Sequence, residues 1–166
     1  MPETLFALDA GNYRNCQTLY RGEGKRDYYE GEFWVDDARP VDVRARKREC
    51  GPYSIIETSA ATSQFFRRTR KHIREDATDL CVLWFVRHGV LRFSNQNGQQ
   101  EIAAGQFLLT RSMSPFFIEL DPGEGQRHEI LHVTVPTHLL RQHLSGEIAT
   151  SAALPGDCGE VNVARR

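Results

Sequence analysis

Short apolar runs between turn-forming residues mark the centre of the chain, residues 80–118. The runs are separated by Gly89, Asn97-Gly98, Gly105 and Ser114-Pro115. An Asn-Gly pair between two such runs predicts a β-hairpin, because a type I′ turn requires positive φ at both central residues. Turn signals at intervals of roughly eight to twelve residues are typical of a small sandwich or barrel. The pattern therefore predicts a closed or nearly closed β-structure.

Strands are also predicted on both sides of this centre. Residues 41–48 alternate small apolar and basic side chains, which suits a half-exposed strand, and residues 53–58 continue the β character. Residues 130–135 are rich in β-branched side chains and end at Pro136, which predicts another strand. The aromatic segment 28–35 favours a first strand near the amino terminus.

One short helix is predicted after the last strand. Thr137 suits its N-cap, Leu140 and Leu144 lie four residues apart, and Gly146 suits its C-cap. A second, N-terminal helix, capped by Asn12, is left open.

Residues 65–74 form the most basic run of the chain. Such a run can grip phosphates or an anionic small molecule. It can equally be the solvated face of a strand near a sheet edge, where Lys and Arg discourage pairing with another sheet. We favour the second interpretation, since charge runs usually mark solvated faces.

Composition narrows the class of protein. The 166 residues are 40% hydrophobic and 10% aromatic, enough for one domain with a real core. The net charge of −1 gives no support to direct nucleic-acid binding. No apolar run reaches the roughly 18 residues that span a bilayer, and the acidic amino terminus does not fit a signal peptide. We therefore expect a soluble, cytoplasmic protein with no membrane partner.

The four cysteines are scattered and contain no C-x-x-C pair, so a structural zinc site is not expected. Cys81, inside an apolar run, is interpreted as a small buried hydrophobic residue.

The segment around residue 130 contains a match to a metalloprotease motif. His128, Glu129 and His132 match the H-E-x-x-H zinc-protease signature, and His138 lies at the spacing of a third ligand. That motif requires a helix, whereas the β-branched residues before Pro136 predict a strand. In a strand the two histidines would lie roughly 13 Å apart, too far to share one zinc ion. We therefore reject the protease.

A metal-dependent oxygenase in a small β-barrel is the second enzyme considered. It needs two histidines and a carboxylate that converge on one metal. The sequence offers His72, His88, His128 and His132 without an H-x-H pair. We expect no metal, no cofactor and no catalytic residue.

An ordered series of motifs resembles the N-terminal sensor domain of AraC/XylS-type transcription regulators, of the cupin-like, AraC-binding kind. The likeness runs from about Phe65 to Leu144. Its motifs are residues 68–73, the strand that ends at Gly89, Asn97-Gly98, residues 104–109, residues 114–116, and Val135-Pro136 followed by Leu139-Leu140. The chain departs from the common family pattern at Gln99 and Gln106, which alters turns but leaves the expected fold unchanged.

The resemblance implies a mainly β, cupin-like barrel (jelly roll) that forms one ligand-sensing domain over residues 1–166, with its core at about 40–146. It implies a small-molecule effector inside the barrel and a homodimer as one option. The chain stops before the helix-turn-helix units of the family could follow. DNA would therefore be contacted only through a C-terminal domain that this chain lacks.

Candidate effector-binding residues follow from the apolar strand at residues 80–87. Every second side chain of this strand faces the interior, so two alternating sets are candidates for the pocket wall. We favour the set that contains Trp84, because aromatic and apolar walls with few polar anchors are usual in ligand pockets. Arg111 is the candidate fixed charge, since a guanidinium holds a carboxylate with two hydrogen bonds. Arg111 could equally lie outside, paired with Glu101 or Glu119. The candidate set is Val82, Trp84, Val86, Phe107, Leu109, Arg111 and Phe117.

Three functions are therefore carried forward. The first is the effector-binding domain of an AraC-type regulator, without catalysis. The alternative is a metal-dependent cupin enzyme, an oxygenase or isomerase. The third is a dimerisation module whose barrel is filled by its own side chains.

Overall fold

Antiparallel strands account for most of residues 43–144. The computed structural model describes residues 43–144 and, for the backbone alone, four short strands outside that range. The strands are β1 (Thr4–Ala7), β2 (Arg14–Asn15), β3 (Glu32–Val35), β4 (Val43–Cys50), β5 (Tyr53–Ala60), β6 (Gln64–Arg68), β7 (Leu80–His88), β8 (Val90–Asn95), β9 (Gly98–Ala103), β10 (Phe107–Arg111), β11 (Phe116–Asp121), β12 (His128–Pro136) and β13 (Ala153–Leu154). The helices described are α1 (Arg70–Asp76) and α2 (Thr137–His143).

The strands form two sheets. The larger has the order β1-β4-β5-β12-β7-β10-β13, and the smaller has the order β2-β3-β6-β11-β8-β9. One core cluster joins them: Ile56, Trp84 and Ile130 come from the larger sheet, and Phe66 and Ile118 from the smaller. The fold is thus a cupin-like jelly roll, as the sequence predicts.

Alternation explains why these segments are strands. Buried and partly exposed positions alternate along β5, β11 and most of β12, which places every second side chain between the sheets. The predicted strands within residues 41–48, 53–58 and 130–135 are confirmed. Cys81 is fully buried, as expected of a small hydrophobic residue.

The central hairpin is present, but its turn differs from the prediction. The closing pair is Asn95 with Gly98, so Gln96 and Asn97 occupy the turn. Of the two residues of the Asn-Gly pair, only Gly98 has a positive φ, at 137°. The Asn95 side chain accepts a hydrogen bond from the Asn97 amide at 2.8 Å, which stabilises a turn one residue earlier.

The basic run is not one solvated strand, so the favoured interpretation is wrong for part of it. The strand ends at Arg68, and residues 70–76 form α1, capped by the side chain of Thr69. Arg68 is buried and forms two hydrogen bonds with Asp76, at 2.7 and 2.8 Å. Its Nε also donates to the carbonyl oxygen of Ser112. One arginine of the run is therefore part of the core.

Helix α2 is shorter than predicted. Its N-cap is Pro136, so Thr137 is the first helical residue and not the cap. The Thr137 hydroxyl instead donates to the Asp79 carboxylate at 2.7 Å. Gly146 lies outside the described residues.

The amino-terminal predictions are tested only in part. Glu32–Val35 is a strand, as the aromatic segment predicts. Arg14–Asn15 is extended and pairs with β3, so the helix left open after Asn12 does not include these two residues. The rest of that segment lies outside the described residues. Among the described residues, no helix is long and apolar enough to cross a membrane.

The Arg68–Asp76 pair should be essential for stability. Removing one partner of a buried pair leaves an uncompensated charge, so we expect Arg68→Met to lower the free energy of unfolding by about 3–5 kcal/mol. Chemical denaturation followed by circular dichroism measures this loss.

The matched control is the same substitution at Arg67, an exposed neighbour, which should change stability by less than about 0.5 kcal/mol. The double variant Arg68→Met with Asp76→Leu should recover part of the loss, since no buried charge is left. Equal losses at Arg67 and Arg68 would contradict the assignment.

Candidate functional site

Two histidines of β12 point between the sheets. His128 is 0% exposed and His132 is 3% exposed. The strand is extended through both, which confirms the prediction that His128, Glu129 and His132 do not lie on a helix. Glu129 belongs to the opposite face and approaches His88 at 3.9 Å. The protease motif therefore splits across the sheet.

His132 lies in a row of side chains that crosses the larger sheet. Its register partners are Ile56 on β5 and Trp84 on β7. The centres of the His132 and Trp84 rings are 4.2 Å apart. His132 Nε2 lies 3.0 Å from the Thr58 hydroxyl, and the Trp84 indole donates to Thr110 at 2.8 Å. These contacts hold both rings on the inner face.

Both histidines are neutral at pH 7. Burial lowers the pKa of His132 to about 3, and the charge that His128 would carry acts in the same direction. Burial also lowers the pKa of His128 to about 4, aided by the positive charge of Arg127. The Thr62 backbone and the Asp121 carboxylate oppose this shift only in part. Each neutral ring offers one donor and one acceptor.

Several buried polar atoms lack a hydrogen-bond partner among the side chains that the structure describes. They are His132 Nδ1, both ring nitrogens of His128, both amide atoms of Gln64, and the Thr62 hydroxyl oxygen. Gln64 is 0% exposed and shares the inner face of the smaller sheet with Phe66. An unsatisfied buried polar group costs about 1–3 kcal/mol, so such a group calls for an explanation. A buried water or a bound molecule with its own donors and acceptors would satisfy these atoms.

Gly89 allows the strand connection to pack against His128. Its φ is +83°, and an added Cβ would lie 2.8 Å from His128 Cβ and closer still to the Asp121 carbonyl. A depression of about 430 Å³ opens beside this contact, lined by residues 88–90, 122–127 and Glu129. The backbone of His128 therefore lies beneath an opening at one end of the sandwich.

The candidate residues of the apolar strand take the favoured orientation. Val82, Trp84 and Val86 all belong to the inner core, each no more than 2% exposed. Their contact with an effector stays a prediction.

The other four candidates do not share this face. Phe107 and Leu109 alternate with the inward Leu108 and Thr110, and Phe107 stacks on Phe85 with ring centres 5.5 Å apart. Phe117 alternates with core residues of β11 and stacks on Phe65 at 6.2 Å. These three residues therefore lie on the outer faces of the sheets, which corrects the expected pocket.

Arg111 also lies on the outer face, but its partner is neither Glu101 nor Glu119. It binds the Asp79 carboxylate with two hydrogen bonds, at 2.9 and 2.8 Å. The Arg111 guanidinium lowers the pKa of Asp79. This ion pair ties the end of β10 to the residue before β7. The role of Arg111 as an effector anchor stays a prediction. Its position on the outer face does not favour that role.

The polar interior was not anticipated from the sequence. The signal was available: His128 and His132 are an even number of residues apart on a predicted strand, so they must share a face. Gln64 and Thr62 carried no such signal, since both lie next to the basic run. No group of three or more His, Cys, Asp or Glu that could hold a metal ion is found in the described part of the chain.

Two facing antiparallel sheets with this topology define a cupin-like barrel domain. The model of the AraC-like ligand binding domain family matches residues 62–151, more than half of the chain. The chain belongs to this family. No curated protein sequence matches it.

Solved structures of other proteins resemble this chain. The crystal structure of the AraC-like transcriptional activator CuxR superposes with a TM-score of 0.66 at 15% identity, over 81% of this chain and 49% of that one. The chain thus spans about half the length of that activator. A Cupin 2 conserved barrel domain protein from Salinispora arenicola CNS-205 matches at 13% identity and a TM-score of 0.42, over 64% of this chain and 94% of that one. Ectoine synthase from P. lautus matches at 11% and 0.41, over 70% and 87%.

Substitution of Gly89 should disturb the histidine end of the interior. Gly89→Ala adds both left-handed strain and a collision with the backbone of β11 and with His128, so we expect a loss of more than about 1 kcal/mol. Thermal denaturation measures it. Gly51→Ala is the matched control, because Gly51 also has a positive φ of +63° but has nothing within 4 Å of an added Cβ. An equal loss in both variants would show that the contact with His128 is unimportant.

Acid should destabilise the domain through the two buried histidines. Their folded pKa values lie below the ordinary 6.5, so the unfolded chain takes up protons that the folded chain does not. Their stabilising effect is complete above about pH 6.5 and is lost as the pH falls through the folded pKa values of about 4 for His128 and about 3 for His132. Each histidine should contribute a slope of about 1.4 kcal/mol per pH unit between about pH 6 and 4.5.

Unfolding curves for His128→Gln and His132→Gln over this range test the slope, whatever each variant does to stability at pH 7. Thr134→Val, a buried change on the same strand without a titrating group, should keep the full slope. An unchanged slope in both histidine variants would contradict the assignment.

Proposed function

We propose that this chain is the effector-binding, regulatory domain of an AraC-type transcription regulator. Residues 1–166 form one ligand-sensing domain, with its core at about 40–146, and a small polar metabolite binds between the two sheets. The proposal contains no catalytic step. We also propose a cytoplasmic location, with a homodimer as one assembly.

The observation that carries this function is the set of unpartnered polar atoms inside the barrel. They belong to Thr62, Gln64, His128 and His132, and all four side chains are at least nine-tenths buried. The rest of the inner core is largely apolar. An apolar chamber with a few convergent polar groups is the usual design of a small-molecule site.

The chemistry of these groups suits a neutral or anionic polar molecule. Neutral imidazoles and a primary amide each combine donors and acceptors, so they can bind hydroxyl, carbonyl or carboxyl groups of a ligand. Trp84 offers a flat surface beside His132. A sugar or an aromatic acid fits this combination better than a hydrocarbon, which would leave the polar atoms unsatisfied.

The effect of ligand binding would be transmitted from the site along β12. Helix α2 begins directly after this strand, five residues beyond His132, and Thr137 at its start is hydrogen-bonded to Asp79. Occupancy of the interior can therefore act on α2 through one continuous strand. DNA would be contacted by a further domain of the regulator.

A thermal-shift screen against sugars, small acids, amines and aromatic acids tests the proposal directly. A bound effector raises the melting temperature because it binds only the folded state. Absence of any shift across a broad panel would favour the dimerisation module, with a barrel filled by its own side chains. Stoichiometric iron, manganese or zinc in protein purified without chelators would favour the cupin enzyme.

Gln64→Leu should separate stability from ligand response. The substitution removes two unsatisfied buried atoms at similar volume, so we expect the ligand-free domain to gain about 1–2 kcal/mol. The same variant should lose most of the thermal shift that an effector produces.

Gln99→Leu, on the exposed outer strand β9, is the control. It should change the stability by less than about 0.5 kcal/mol and should leave the thermal shift produced by an effector unchanged. A Gln64→Leu variant that keeps the full effector shift would place the binding site elsewhere.

A further inference from the structure

The carboxylate of Asp79 connects the start of α2 to two strands. Its Oδ1 accepts hydrogen bonds from the Thr137 hydroxyl at 2.7 Å and from Arg111 Nε at 2.9 Å, and its Oδ2 accepts from the same guanidinium at 2.8 Å. The Asp79 carbonyl oxygen also accepts from the Thr137 amide at 3.2 Å. Asp79 directly precedes β7, Arg111 ends β10, and Thr137 begins α2. One residue therefore holds three elements together.

The geometry makes this contact stronger than an ordinary surface ion pair. A guanidinium that binds a carboxylate through two hydrogen bonds has a fixed orientation, and charge-assisted bonds are stronger than neutral ones. The hydrogen bond from Arg111 is the main cause that lowers the pKa of Asp79. The hydrogen bond from Thr137 and the positive charge of Arg141 on α2 act in the same direction, and partial burial opposes them. Asp79 is therefore ionised at pH 7 and attracts α2 at two points.

The same ion pair is one residue away from the polar interior. The neighbour of Arg111 on β10 is Thr110, whose hydroxyl accepts a hydrogen bond from the Trp84 indole at 2.8 Å. The Trp84 ring lies against His132, with ring centres 4.2 Å apart. Because successive side chains of a strand point to opposite faces, Thr110 and Arg111 connect the inner face of the sheet to the outer one. Each residue from His132 to Asp79 therefore contacts or adjoins the next.

We propose that Asp79 holds α2 in place and couples this helix to the proposed effector site through Arg111 and Thr110. This inference rests on the proposed function and names a second route for its regulation, beside the one along β12. An effector that turns the Trp84 ring, or takes the Thr110 hydroxyl for its own hydrogen bond, shifts Arg111 and weakens the contact between Asp79 and α2. The held and released positions of α2 are the two states whose populations the effector changes.

Hydrogen exchange of the ligand-free protein, followed by mass spectrometry, tests whether Asp79 holds α2. Asp79→Asn removes the charge, so we expect the amides of α2 to exchange about 10-fold faster, while those of the core strands β5 and β12 change by less than about 2-fold. Thr137→Val, which removes only the hydroxyl, is the second variant if the first is poorly folded by circular dichroism. Equal acceleration in α2 and in the core strands would show a general loss of stability and overturn the proposal.

Asp121→Asn is the matched control. Asp121 also binds an arginine, Arg92, at 2.6 Å, and also accepts from a backbone amide, that of Gly123, at 2.8 Å. It lies beside His128 at the start of β12, whereas α2 follows the end of that strand. We expect the exchange of α2 to stay within about 2-fold in this variant. Faster exchange of α2 here, by as much as in Asp79→Asn, would contradict a specific role of Asp79.

A double-mutant cycle tests the coupling to the interior. Thr110→Val breaks the hydrogen bond with Trp84 and should accelerate the exchange of α2 about 5-fold. If the effect passes through Asp79, the double variant Thr110→Val with Asp79→Asn should exchange no faster than Asp79→Asn alone. Effects that multiply would show that the two positions act independently, and the coupling would be rejected. Thr58→Val, which removes the contact of His132 with β5, should leave α2 within about 2-fold.

The outcomes for the two proposals can be told apart. All of these exchange rates are measured without an effector, so a broad screen with no thermal shift rejects the proposed function and leaves the contact between Asp79 and α2 standing. An effector found in that screen, together with multiplying effects in the cycle, keeps the proposed function and rejects the route through Asp79.

Discussion

The pairing of β12 on both of its sides is the constraint on which the rest of the structure depends. This strand lies between β5 and β7 in the larger sheet and pairs with each over most of its length. A strand paired on both sides cannot slip in register without turning its inner side chains outward. That fixed register places His128 and His132 inside and Glu129 outside. It also fixes where α2 begins, because the strand leads into the helix without a loop.

The sequence predicted the architecture better than it predicted which side chains of each strand face inward. Turn residues and alternation were sufficient for a small closed β-structure, for the central hairpin and for the extended conformation around residue 130. The jelly roll was implied by the family resemblance. Alternation failed where both faces of a strand are apolar: β10 has buried residues at Phe107 and Leu109 as well as at Leu108 and Thr110. Only the register against β7 distinguishes the two sets. Trp84 was placed correctly on the inner side, whereas Phe107, Leu109 and Phe117 were not.

Charged residues were harder to place, because their partners are distant in the sequence or follow a turn. Arg111 binds Asp79 across 32 positions, and nothing local distinguishes Asp79 from the two glutamates considered. Arg68 lies in a basic run that looks solvated, yet Asp76 neutralises it from the far end of a helix that the sequence analysis did not predict. Lys47 lies among arginines, so its charge favours an exposed position, although alternation places it on the same face as Val43 and Ala45. Its burial depends on which face of β4 meets the other sheet.

The order of the strands has a consequence for the newly made chain on the ribosome. The partners of β12 in β5 are synthesised about 75 positions earlier, and until residues 128–136 emerge the larger sheet exists as two separate pieces. One edge of β5 and one edge of β7 then have free amide and carbonyl groups, and free edges of this kind invite pairing with other chains. Closure of the barrel is therefore a late, long-range event, and slow folding is expected of a topology dominated by distant contacts. Nascent chains that stall before β12 should be especially prone to aggregate.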